Sequence, residues 1–178
     1  MKNNFWNDAS RCGAVLGLIG VAFSVIGMYL PKDKVLLALI LNGLSTVITI
    51  FLLFYFTKRR AAQFPKEGYS YLQCMGYMVA SGLFAGIIAG AYQIVASHFF
   101  FAEEYNEIYN TMIAAYAQMN VFDNNQLEMI RVMLTSPISL LISNIMAMCL
   151  SFGFYGLFIA IGTKREVNIF DDTTIDQE

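Results

Sequence analysis

The stretch CMGYMVASGLFAGIIAGAYQIVAS, residues 74–97, holds no Asp, Glu, Lys or Arg. It exceeds the roughly 20 helical residues, at about 1.5 Å each, that cross a hydrocarbon core. In lipid every backbone N–H and C=O must be bonded internally, so a run of this length without strict alternation reads as a helix and not as a barrel strand. Outward from it, three further runs share its character: Cys12 to Leu30, Val35 to Phe56 and Ile138 to Ile161. The reading is an all-α polytopic membrane protein with four transmembrane helices. Residues 1–165 form the membrane domain and residues 166–178 an acidic tail.

The whole composition agrees with that solvent. Of 178 residues 57% are hydrophobic and 13% are charged, about half the charged fraction of a soluble domain. A net charge of -2 leaves no basic surface for a phosphate backbone and excludes nucleic acid as a partner. Lys2 and Arg11 precede the first run as in a signal peptide, but the run is long and lacks a small-x-small cleavage site before Pro31, so it is expected to be retained.

Basic residues resist translocation and set orientation. Eight (Lys2, Arg11, Lys58, Arg59, Arg60, Lys66, Lys164 and Arg165) fall on one side and three (Lys32, Lys34 and Arg131) on the other. Both termini are therefore expected in the cytoplasm, with Lys58, Arg59 and Arg60 as the basic anchor. Phe5, Trp6, Tyr55, Phe56, Tyr69 and Tyr71 are expected in the inner aromatic belt, and Tyr29 with Phe99 to Phe101 in the outer one.

Between the third and fourth runs, residues 102–136 read as an extracytoplasmic helical hairpin. Its first helix carries Tyr105, Tyr109, Met112, Tyr116 and Met119 at helical spacing, with Glu103, Glu104 and Glu107 near the start, where carboxylates suit the helix dipole. Its second has Asp123 as N-cap, Gln126 three residues on, and the stripe Leu127, Ile130, Leu134. Two placements fit that pattern: a cap over the bundle, or a pair of helices lying on the headgroups.

Small side chains let helices approach closely in lipid. The candidate contact seams are Gly82, Gly86 and Gly90 on the third run, and Gly13 and Gly17 on the first. They serve either packing within the bundle or, for the third-run glycines above all, a homodimer or a helix of another protein.

Polar residues sorted by depth form a layer in the outer half. Asn42, Gln93 and Asn144 lie about one to two turns from the outer ends of their helices. His98, Ser139 and Ser143 share the zone, and Ser45, Thr46 and Thr49 extend it along the second run. Amides in hydrocarbon need partners. The layer is either interhelical hydrogen bonding or a water-accessible polar vestibule for a lipid headgroup or small solute.

The inventory offers little chemistry. One His and no acid within the apolar runs provide neither a metal site nor a proton relay. Phosphate-binding, dinucleotide-binding and zinc-protease motifs are absent, so no cofactor, metal or catalytic residue is expected.

The layout resembles an uncharacterised family of small four-helix inner-membrane proteins of Bacteroidota, carrying a domain of unknown function. The resemblance covers nearly the whole chain and is most recognisable in FFFAEEYNEIYNTMIAAYAQ, residues 99–118, and NNQLEMIRVMLTSPISLLI, residues 124–142. It transfers no active-site residue. It implies residence in the inner membrane and a genomic association with glycosyltransferases that use polyprenyl phosphate. The expected role is a non-catalytic scaffold or accessory subunit contacting membrane lipids and such a glycosyltransferase. The alternative is a small transporter or flippase-like carrier using the polar vestibule.

Overall fold

The computed structural model describes residues 5–30, 34–64, 68–119 and 122–165. Lys2, Lys32, Lys66 and the acidic tail 166–178 lie outside the described residues. Six α-helices follow one another: α1 (Phe5–Met28), α2 (Val35–Ala61), α3 (Tyr71–Val95), α4 (Ala102–Gln118), α5 (Asn124–Thr135) and α6 (Pro137–Thr163). A π-helical turn, Ala96–Phe100, extends α3 towards α4. Four of these helices, α1, α2, α3 with its π turn, and α6, are long and apolar enough to cross a membrane, as in a multi-pass membrane protein.

Local sequence accounts for several of the ends. Pro137 sits in the first turn of α6, where a missing N–H costs no helical bond. The Ser70 side chain accepts from the N–H of Gln73, whose side chain accepts from Ser70 in return, closing a capping box at α3. Asp123 and Gln126 pair in the same way at α5. α1 starts at Phe5, ahead of its apolar run, and so contains Asp8. α2 continues through Lys58, Arg59 and Arg60, which occupy its last turn and complement the negative end of the helix dipole.

α3 is the axis of the bundle. On one side its glycines meet α6 directly: a Cβ on Gly82 would lie 2.8 Å from the Met148 carbonyl oxygen, and one on Gly86 would lie 2.5 Å from Ile145 Cα. Gly90 faces Leu141 in the same manner. On the other side α1 presents Gly13 and Gly17 to Ser81, Phe84 and Ala85 of α3. Two helix pairs are thus brought to backbone contact, the arrangement that gains most where lipid offers no hydrophobic drive. Both seams are filled from within the chain.

α2 behaves differently. Its buried residues are Leu53, Thr57, Arg60 and Ala61, all in the half near the basic end. From Val35 to Leu52 none is buried.

At the opposite end, α4 lays Tyr105 and Tyr109 against Ala96 and Tyr92 of the α3 extension, with Met28 and Leu134 packed alongside. Of the five-residue stripe read from the sequence, Tyr105 and Tyr109 are buried, whereas Met112 and Met119 are exposed. α5 has no buried residue; it meets α4 through the Arg131 guanidinium, which donates to Asn110 Oδ1 at 3.4 Å.

Candidate functional site

Where α3 and α6 part above Gly90, the close backbone approach sets two amides face to face. Asn144 Nδ2 donates to Gln93 Oε1 at 2.6 Å and to the carbonyl of Leu140 at 2.8 Å. Tyr109 of α4 lies beside Gln93. The hydroxyls of Tyr92 and Tyr109 are buried, and neither meets the geometry of a hydrogen bond among the described residues. Burial raises the Tyr109 phenol above its ordinary value, tempered by Gln93 and Ser97. Tyr105 is pushed up to about 12, first by burial and then by the neighbouring Tyr92 and Tyr109. Both rings are held neutral at any physiological pH.

The rest of the predicted polar layer does not converge on this point. Ser143 donates to the carbonyl of Ser139 at 2.6 Å, within its own helix, and its side chain is exposed. His98 is exposed on the π turn, with Nδ1 2.9 Å from the carbonyl oxygen of Ile94 and 3.0 Å from Ser97 Oγ. Thr46 and Thr49 donate to the carbonyls of Asn42 and Ser45, one turn back on α2. Asn42 itself is exposed, and its amide makes no side-chain hydrogen bond among the described residues. Of the six candidate vestibule residues, the structure joins Gln93 to Asn144 and leaves Asn42, His98 and Ser143 on outer surfaces.

The basic anchor divides in a similar way. Lys58 and Arg59 are exposed, with the Lys58 ammonium 5.8 Å from the centre of the Phe54 ring. Arg60 turns inward and is 4% exposed. Its guanidinium pairs with the Asp8 carboxylate, and its Nε donates to the Tyr69 hydroxyl at 3.2 Å. The rings of Phe5, Tyr77 and Phe64 stand 5.2, 5.4 and 5.7 Å from the guanidinium carbon.

That set accounts for the inward turn of Phe5 and Tyr69, two of the rings expected in the inner belt. A charge at the edge of the bundle needs a carboxylate and aromatic faces to be tolerated out of water, and these two rings supply part of the enclosure. Tyr69 also exchanges backbone hydrogen bonds with Arg165, at 2.8 and 2.9 Å, fastening the end of α6 to the start of α3. Burial raises the Tyr69 phenol, and the Arg60 hydrogen bond opposes the rise. The Tyr77 hydroxyl donates to the backbone carbonyl of Asp8 at 3.3 Å. The cluster locks α1, α2 and α3 together.

Asp8, Tyr77, Tyr92 and the pairing role of Tyr109 are additions to the sequence reading. A signal for the ion pair was present: Asp8 lies four residues before Cys12 and Arg60 four residues after Phe56, so both sit at one depth outside their apolar runs. No comparable signal marks the two orphaned hydroxyls.

A family model described as "Protein of unknown function (DUF4199)" matches residues 11–165. No curated protein and no solved structure matches the chain.

Proposed function

Because the chain belongs to this family of unknown function, its role has to be argued from its own residues, and we propose a non-catalytic scaffold or accessory subunit that offers α2 to a helix of another membrane protein. The observation that carries this reading is the exposed amide of Asn42. An amide in hydrocarbon without a partner costs several kcal/mol, on the order of 4–8 for transfer from water to an alkane. The glycine seams that would otherwise receive a neighbour are closed by α6 and α1. Gly43, beside Asn42, has no atom within 4 Å of a Cβ built on it, so a second helix can approach there without obstruction. Ser45 and Thr46 lie one turn on, and Leu39, Val47 and Phe51 extend an exposed apolar surface along the same helix.

In this reading the basic end lies in the cytoplasm of an inner-membrane protein, where Lys58 and Arg59 face anionic headgroups or the partner. The polyprenyl-phosphate glycosyltransferase implied by the family resemblance is the first partner to test. The carrier reading draws less support, since Gln93 and Asn144 are hydrogen-bonded to one another and Asn42, His98 and Ser143 are exposed without converging on them. Affinity purification from native membranes, comparing the wild-type chain with Asn42→Leu, tests the proposal. A stoichiometric protein partner retained by the first and lost from the second is expected. Equal recovery with both refutes it.

A further inference from the structure

Beside the α1–α2 turn the structure holds a cavity of about 470 Å³ that the packing of the bundle does not use. α1 and α2 form one wall, near Gly27 and Val35, and α4 forms the other, through Glu104, Ile108 and Met112. Its lining is mainly apolar. The cavity lies where the apolar runs of α1 and α2 end, at the depth of the headgroups and the first acyl methylenes.

The polar atoms gather at the rim. Lys34 lines it from the start of α2, and its ammonium has no hydrogen bond or ion pair among the described residues. Glu104 and Glu107 of α4 line the facing side. Lys34 and Glu104 thus set a positive and a negative group at one mouth, the first suited to a phosphate and the second to an ammonium. Below the rim the apolar wall is continued on α2 by Val35 and Ala38.

We propose that this cavity is a specific site for one zwitterionic aminophospholipid. Its phosphate sits on Lys34, its primary ammonium faces Glu104, and its acyl chain runs along α2. An anionic lipid satisfies Lys34 but is repelled by Glu104 and brings it no cation. A choline headgroup satisfies the charges but has no N–H to donate to Glu104. The site is independent of the partner surface at Asn42, and either can fail without the other.

Native mass spectrometry of the full chain, delipidated in detergent and titrated with phosphatidylethanolamine, phosphatidylcholine or phosphatidylglycerol, tests the assignment. The expected result is one retained phosphatidylethanolamine, bound at least about tenfold more tightly than the other two, since a charge-assisted hydrogen bond contributes about 1.5–3 kcal/mol. Lys34→Ala is expected to weaken it about tenfold or more, and Ala38→Trp, which fills the cavity, to abolish it. Glu104→Gln is expected to narrow the preference over phosphatidylglycerol. Soluble glycerophosphoethanolamine in excess is expected not to displace the lipid, because the apolar wall holds the acyl chain. Circular dichroism and elution volume confirm that each variant is folded. Displacement by that soluble headgroup overturns the lipid assignment. Equal binding of the three lipids, a preference for phosphatidylglycerol, or a phosphatidylethanolamine preference unchanged in folded Lys34→Ala and Ala38→Trp overturns the site.

Discussion

Substituting Gly86 by alanine places a methyl group where the backbones of α3 and α6 already touch. The new Cβ stands 2.5 Å from Ile145 Cα, and ordinary contact begins at 3.4 Å, so the helices must part locally by about 0.9 Å. The obstacle is backbone, with 3.0 Å to the Asn144 carbonyl oxygen as well, and no side chain can swing aside to relieve it. Overpacking of this kind costs about 1–3 kcal/mol. Parting the helices also stretches the Asn144–Gln93 contact, about two turns along α3 from Gly86, and hydrogen bonds between transmembrane helices average about 0.6 kcal/mol. A helix-propensity gain of up to about 1 kcal/mol from Gly to Ala works in the other direction. The net expectation is a loss of about 1–2.5 kcal/mol, roughly a five- to sixtyfold fall in the folding constant. Reversible unfolding in mixed micelles, followed by circular dichroism, measures it. Gly13→Ala should behave alike, because its Cβ would fall 2.6 Å from Phe84 Cβ. Gly20→Ala and Gly43→Ala, which meet nothing within 4 Å, should stay within about 0.5 kcal/mol or gain slightly. Equal stability of Gly86→Ala and Gly43→Ala would refute the assignment of α3 as the packing axis.

Other expectations follow from the two polar clusters. Arg60→Met leaves Asp8 without its cation, and Asp8→Asn leaves a buried guanidinium without its carboxylate; each is expected to cost about 3 kcal/mol in the same unfolding assay, and the double variant less than the sum. A double-mutant cycle on Gln93→Leu and Asn144→Leu is expected to give a coupling of about 0.6–1.7 kcal/mol, and a zero coupling would deny the hydrogen bond. Burial holds the Tyr105 phenol near 12 and raises that of Tyr109, so the unfolded chain releases these protons first. The packing of α4 on the bundle is therefore whole below about pH 10 and weakens from there toward pH 12, with tyrosinate absorbance and loss of α4 protection rising together.

Periodicity and length made the helical class legible, because runs such as residues 74–97 admit few other structures in lipid. The Gln93–Asn144 contact was legible too, since two amides at matched depth on adjacent helices need each other. Spacing could not tell how a helix is rotated or tilted. Asn42 shares the depth of Gln93 and Asn144 yet faces outward, because α2 meets the bundle through Leu53, Thr57, Arg60 and Ala61 at its far half. Spacing likewise could not tell that Arg60, grouped with Lys58 and Arg59 in one basic anchor, is buried while those two are exposed. Only the return of α1 past its apolar run, bringing Asp8 and Phe5 into place, turns that residue inward. His98 and Ser143 failed to join the layer for a local reason, as each bonds a carbonyl of its own helix.

The central claim is that the exposed half of α2 receives another protein through Asn42. A photoreactive side chain at the exposed position 46, one turn from an intact Asn42 and activated in native membranes, measures this directly, with Leu150 of α6, an exposed position at 68%, as the lipid-facing reference. The account predicts one discrete protein adduct from position 46, abolished by Asn42→Leu, and lipid adducts from position 150. Lipid adducts alone from both positions would contradict it.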